Sequence, residues 1–186
     1  MGNVLIVSAG ERSTALIRSV LEQTDLRDIR YASCAEAARA QWGRPQLEVI
    51  VLAPPLPGSS LDVLAAEAVR ATQAGVIVIV DEWEDGRTAE GIGALLMKKP
   101  VSQSAFVQAI RHARAVYRRA ELLLSENKRL HVRLDEVRLI SRAKLLMMKR
   151  FSMTEEQAHH YLERQAMKER ISLGEAAKNI VTNCEM

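Results

Sequence analysis

Cysteine occurs only twice in this 186-residue sequence, at Cys34 and Cys184, and aromatic residues make up just 4 % of it. Two cysteines so far apart match no metal-ligand spacing. No apolar run approaches the roughly 20 residues needed to span a bilayer. Met1-Gly2-Asn3-Val4 carries no basic segment ahead of a long apolar stretch, so no secretory signal is read there. The expectation is a cytoplasmic protein with reduced thiols and no membrane partner. Catalytic arrangements are missing as well: no Ser/His/Asp or Cys/His constellation emerges, and Gly91-Ile92-Gly93 is too short for a nucleotide loop. His159 and His160 are adjacent, so on a helix they point about 100° apart and cannot hold one metal together. The sequence therefore reads as no enzyme, with no cofactor and no metal.

Hydrophobic residues make up 48 % of the chain and charged ones 26 %, an ordinary balance for a folded protein. The net charge of +3 is mild, but its distribution is uneven. Glu82, Glu84 and Asp85 cluster in the first half, as expected of a solvated loop, whereas Arg and Lys recur on helical segments from Tyr117 onward.

The first half alternates short β-type runs with helical stretches. Asn3 to Val7, Ile29 to Ala32, Val49 to Leu52 and Val76 to Val80 read as strands. Glu11 to Gln23, Ala35 to Trp42 and Leu61 to Ala71 read as helices, and Pro54 to Gly58 as a turn. Continuous Val/Ile runs suit strands buried on both faces, hence a parallel sheet between helices. Alternating units of this size predict a doubly wound, flavodoxin-like α/β domain over 1–112.

After Lys98-Lys99-Pro100 the pattern changes: neither Gly nor Pro occurs again until Gly174, so this span is predicted to be mostly helical. A heptad frame puts Ala113, Ala120, Asn127 and Leu134 at a positions, and Val116, Leu123, Leu130 and Val137 at d positions. A lone Asn in such a seam fixes a parallel two-stranded register at some cost in stability. A coiled-coil dimerisation helix is therefore expected over 113–137, with Leu123, Asn127, Leu130, Leu134 and Val137 in its interface. The alternative is a long helix packed on its own α/β domain.

Further on, Thr154-Glu155-Glu156-Gln157 and Ser172-Leu173-Gly174-Glu175 have the form of capping boxes. They predict a break near Phe151 and two short helices, at about 154–169 and 172–182. Ala158, Leu162, Ala166, Leu173, Ala176, Ala177 and Ile180 would cover Leu145, Leu146 and Met147 in a minimal three-helix domain over 138–186.

Ala143-Lys144-Leu145-Leu146-Met147, Thr154 to Ala158, Leu162, Ala166-Met167, and Leu173 with Ala176-Ala177 and Ile180-Val181 resemble the ANTAR domain. That resemblance implies binding of leader-mRNA hairpins and prevention of a terminator hairpin, that is, transcription antitermination. Glu156 to Leu162, with Arg164 and Ala166 to Lys168, resemble the antiterminators of amidase and nitrate-assimilation operons. Many relatives carry an aromatic residue where His159 stands and an Arg where Glu163 stands. The α/β part resembles a response-regulator receiver. The likeness places paired acidic residues at Ser8 and Ala9, a phosphoacceptor aspartate at Ala53 and a switch hydroxyl at Val80 or Asp81, while Lys99-Pro100 matches. Phosphotransfer needs carboxylates to accept the phosphoryl group and to hold its metal. A degenerate receiver is therefore expected, controlled by a ligand-sensing protein that sequesters it rather than by phosphorylation.

Among the cations, Arg142, Lys144, Lys149, Arg150, Arg164 and Lys168 are the candidate RNA contacts, with Lys144, Lys149 and Arg150 preferred. Each charge taken singly suits a solvated helix surface better, and Tyr161 suits either base stacking or packing. The competing functional reading is a DNA-binding transcription factor of the response-regulator type, because two short helices after a long one resemble a helix-turn-helix. The last helix offers only Glu175, Lys178 and Asn179 for base edges.

Overall fold

The computed structural model of the chain describes residues 3–22, 24, 26, 28–43 and 47–185, with the side chains of 85, 86, 184 and 185 left aside. Gln23, the expected end of the first helix, and the side chains of Asp85 and Cys184 lie outside the described residues, as do Met1 and Gly2. The chain divides into two compact units, Met1–Leu123 and Leu124–Met186.

In the first unit β1 (Asn3–Val7), β2 (Asp28–Ala32), β3 (Leu47–Leu52), β4 (Gly75–Val80) and β5 (Leu95–Lys98) form one parallel sheet in the order β2-β1-β3-β4-β5. Because side chains alternate across a strand, each apolar run feeds two cores. Leu5, Val7, Ile50, Leu52, Val76, Val78 and Val80 face α2 (Ala35–Arg39), α3 (Leu61–Ala71) and α4 (Arg87–Gly91). Val4, Ile6, Val49, Val51, Ile77 and Ile79 face α1 (Glu11–Leu21) and the start of α5 (Gln103–Phe151) through Phe106, Ala109, Ile110 and Ala113. Helices thus cover both faces, as a doubly wound sheet requires. Its strand order reverses between β1 and β3, and the crevice above their carboxyl ends is where such folds place chemistry.

The fifth strand is an addition to the four expected from sequence, and α2 ends at Arg39 rather than Trp42. Ala113 is not available to a seam. It is buried, and a side chain on Gly75 would collide with its backbone. An ion pair of 2.8 Å between Arg114 and Glu48, each about 85 % buried, ties the same turn of α5 to β3.

Helix α5 runs for 49 residues without a break, so the expected boundaries at 112/113 and 137/138 both fall inside one helix. Its last turns build the second unit with α6 (Glu155–Glu169) and α7 (Leu173–Glu185). Ala143 and Met147 pack on Ala158, Leu162, Ala166, Ala176, Ala177 and Val181. Of the α5 residues expected under the short helices, Met147 is buried and Leu146 half-buried, but Leu145 is 56 % exposed. Ser152 and Arg170, with φ of 53° and 55°, turn the chain out of α5 and α6. Both expected capping boxes are formed. Thr154 N–H donates to Gln157 Oε1 at 2.9 Å and Gln157 N–H to Thr154 Oγ1 at 3.2 Å; Ser172 and Glu175 repeat the exchange. The Ser172 amide holds the Glu175 carboxyl below its ordinary range. A Cβ on Gly174 would come within 3.0 Å of Glu136 Cγ, so a larger residue in the first turn of α7 would have to displace that side chain of α5. No described helix is long and apolar enough to cross a membrane.

Candidate nucleic-acid interface

The cations of the second unit are set by helix geometry. Lys144 and Lys149 are five residues apart on α5 and therefore point about 140° away from each other. The preferred set of Lys144, Lys149 and Arg150 does not form one face. Arg142 and Lys149, seven apart, lie within about 20° of each other and share a flank; both are exposed. Lys144 is committed elsewhere. Its Nζ meets Glu155 Oε1 at 2.5 Å, its side chain is only 20 % exposed, and it holds the Glu155 carboxyl below the usual range. That contact joins α5 to the first turn of α6, where a carboxylate also suits the helix dipole. Arg150 is exposed in the last turn of α5, and Arg164 and Lys168 are exposed one turn apart on α6.

Helix α6 buries Ala158, Leu162 and Ala166. Its outward side is a shallow groove lined by Gln157, His160, Tyr161, Glu163, Arg164 and Met167, together with Met153. Met167 is 80 % exposed there, and Tyr161 is half-buried against the core. His160 Nδ1 lies 3.0 Å from Glu163 Oε2, and His159 Nε2 lies 3.4 Å from Oε1. His160 is thus hydrogen-bonded to Glu163, and His159 lies at ion-pair distance from the same carboxylate. Sequence reading singled out neither the Glu163 cluster nor the Lys144–Glu155 strut. The first was available from the i,i+3 and i,i+4 spacing of His and Glu. The second joins residues eleven apart across a helix break and leaves no periodic signal.

Along α5 the expected seam residues Leu123, Leu130, Leu134 and Val137 are 50–63 % exposed, and Asn127 is exposed with them. Leu122 and Val132, outside the heptad frame, are equally bare.

At the carboxyl ends of β1 and β3 stand Ser8, Ala9 and Ala53. Ala53 is buried and donates its amide to Val7 O at 3.0 Å; Ser8 Oγ accepts from Gly10 N–H at 3.2 Å. Lys99, after β5, pairs with Asp81 at 3.0 Å. Phosphotransfer in a receiver needs a magnesium ion held by carboxylates beside an acceptor aspartate. The methyl and hydroxyl groups at these strand ends do not fit that ion. Among the described residues no three His, Cys, Asp or Glu side chains group as a metal site.

Residues 128–181 match the ANTAR domain family. No curated protein matches the chain. Among solved structures the response regulator StyR superposes with a TM-score of 0.68 at 16 % identity, over 98 % of this chain and 98 % of that one. A two-component response regulator from Clostridium difficile gives 0.54 at 17 %, over 64 % of this chain and 98 % of the other. A receiver domain from Clostridium thermocellum gives 0.56 at 22 %, over 66 % and 99 %. At such identities the likeness concerns fold alone. The first unit thus has a receiver-like α/β fold, and residues 128–181 are similar to the ANTAR domain.

Proposed function

We propose that this chain is an RNA-binding antitermination regulator that acts in the cytoplasm on nascent leader RNA. The match of residues 128–181 to the ANTAR domain carries the reading. The small-residue core of that unit and its two capping boxes support it, because they hold the last turns of α5 and the short helices α6 and α7 in one arrangement. Bound to leader hairpins through the flank of Arg142, Lys149 and Arg150 and through Arg164 and Lys168, the domain prevents the terminator stem from forming. The exposed Leu123–Val137 seam pairs two chains in parallel, with Asn127 against its mate. The receiver-like unit serves as a docking body, and a ligand-sensing protein that sequesters the chain, as in amidase-type systems, replaces phosphorylation as the control. The DNA-binding alternative is disfavoured by α7. Its exposed polar residues, Glu175, Lys178 and Asn179, include a glutamate turned back onto its own N-cap.

Single-round transcription of a template carrying the leader and its terminator tests the function directly. Added protein is expected to raise read-through on its own leader and not on an unrelated terminator. Unchanged read-through contradicts the proposal.

A further inference from the structure

Where α5 leaves the sheet, the first unit gathers cations without acids to balance them. Over residues 1–123 the sequence has 14 Arg and Lys against 14 Asp and Glu, so the unit as a whole is neutral. In its body Arg18, Arg30, Arg39, Lys98 and Lys99 each meet a carboxylate at 3.0 Å or less. Arg111, Arg118 and Arg119 differ: they are exposed, and among the described residues no carboxylate is paired with them. Glu48, the acid that meets this stretch of α5, is taken by Arg114 at 2.8 Å. Glu121 points about 120° away from Ala115, six residues before it on the helix. The three arginines stand at i−4, i+3 and i+4 from Ala115, which is itself exposed among them in a shallow depression reaching Arg114 and Leu122. Arg114 repels Arg111 and Arg118 at i,i+3 and i,i+4 spacing, which weakens the helix. An anion seated among the guanidinium groups removes that repulsion.

We propose that Arg111, Arg118 and Arg119 form a second RNA-contacting site, which holds the phosphate backbone of the single strand flanking the hairpin. The inference rests on the RNA-binding reading and extends it to the unit that lies outside the ANTAR match at 128–181. A guanidinium group is planar and always charged, and its forked N–H donors fit phosphate oxygens two at a time. Arg111 and Arg118 leave the helix about 10.5 Å apart along its axis. That spread suits successive phosphates of one strand better than a single small anion. In the heptad frame Arg111 and Arg118 fall at f positions and Ala115 at c, on the side away from the a and d seam. Pairing of two chains through that seam therefore leaves the cluster open to RNA. The contact carries no base information, because backbone phosphates are the same at every nucleotide.

The test uses the full chain and two RNAs, the leader hairpin with its flanking strands and the same hairpin trimmed of them. Wild type is expected to bind the longer RNA with a slope of log K against log salt steeper by roughly 2, from three contacts at about 0.7 each on a single strand. Arg111→Gln, Arg118→Gln and Arg119→Gln combined are expected to remove that excess and to leave binding of the trimmed hairpin unchanged. A control combines Arg12→Gln, Arg70→Gln and Arg87→Gln, three cations exposed elsewhere on the same unit, and lowers the net charge equally. It is expected to behave as wild type, with melting curves and light scattering confirming that both variants keep fold and oligomeric state. Loss of the excess in the control as well assigns the effect to net charge and overturns the proposal, as does a cluster variant that retains the excess. Equal wild-type slopes for the two RNAs, with tight binding of inorganic triphosphate, assign the cluster to a small polyphosphate instead; equal slopes without it leave a solvated surface, and either result overturns the proposal. A chain that binds neither RNA sinks the RNA-binding reading, and the proposal with it.

Discussion

Lys144 and Lys149 are the same residue type five positions apart, yet their surroundings give them different work. The Lys144 side chain is mostly covered and paired with Glu155, whereas Lys149 is exposed on the same flank as Arg142. Each cation that meets phosphate releases a counterion, so its loss flattens the salt dependence of binding. Lys149→Ala, Arg164→Ala and Lys168→Ala are each expected to weaken hairpin RNA binding and to lower the slope of log K against log salt by roughly 0.7–0.9. Lys144→Ala is expected to leave that slope alone and to lower the melting temperature of the C-terminal unit. Filter binding at two salt concentrations with a thermal melt separates the two outcomes. The residue types at this surface were legible in the sequence. Their division into contacts and struts was not, because it depends on how α6 folds back after Ser152.

At the scale of elements, legibility followed locality. Capping boxes at Thr154 and Ser172 are settled within four residues, and both formed where the sequence placed them. Strands β1, β3 and β4 announce themselves by Val/Ile runs buried on both sides. β5 does not: Leu95–Lys98 is a short edge strand that is only partly buried, and its ordering comes from pairing with β4. The heptad frame on α5 shows the limit of periodicity, since Ala113 fits the frame while packing into the receiver-like core. From Val116 onward the apolar a and d positions remain largely uncovered. If they meet a second chain in parallel, Asn127 faces its symmetry mate in an otherwise apolar seam, which costs stability and sets strand number. Asn127→Leu is expected to raise the melting temperature while broadening the distribution of oligomers seen by light scattering. A wild-type chain that is monomeric at micromolar concentration contradicts the seam.

At the scale of the molecule, the sheet order and helical cover are those of a receiver, but the carboxyl ends of β1 and β3 present Ser8, Ala9 and Ala53 in place of carboxylates. Incubation with acetyl phosphate and magnesium is therefore expected to leave the intact mass unchanged. A stoichiometric phosphoryl adduct contradicts control by a protein partner alone. The fold class was legible from alternation and from the loss of Gly and Pro after Pro100, whereas the proposed pairing of α5 and the proposed docking on the receiver-like unit depend on surfaces that one chain leaves open. What the molecule is for rests on its last three helices. The most direct measurement is the affinity of the full chain for its own leader hairpin RNA, set against the same sequence as duplex DNA at one physiological salt concentration. An RNA preference of at least about a thousandfold, the low end of specific over non-specific nucleic-acid binding, is the expected result. Equal affinity for the two, or tighter binding of the duplex, contradicts the assignment to RNA.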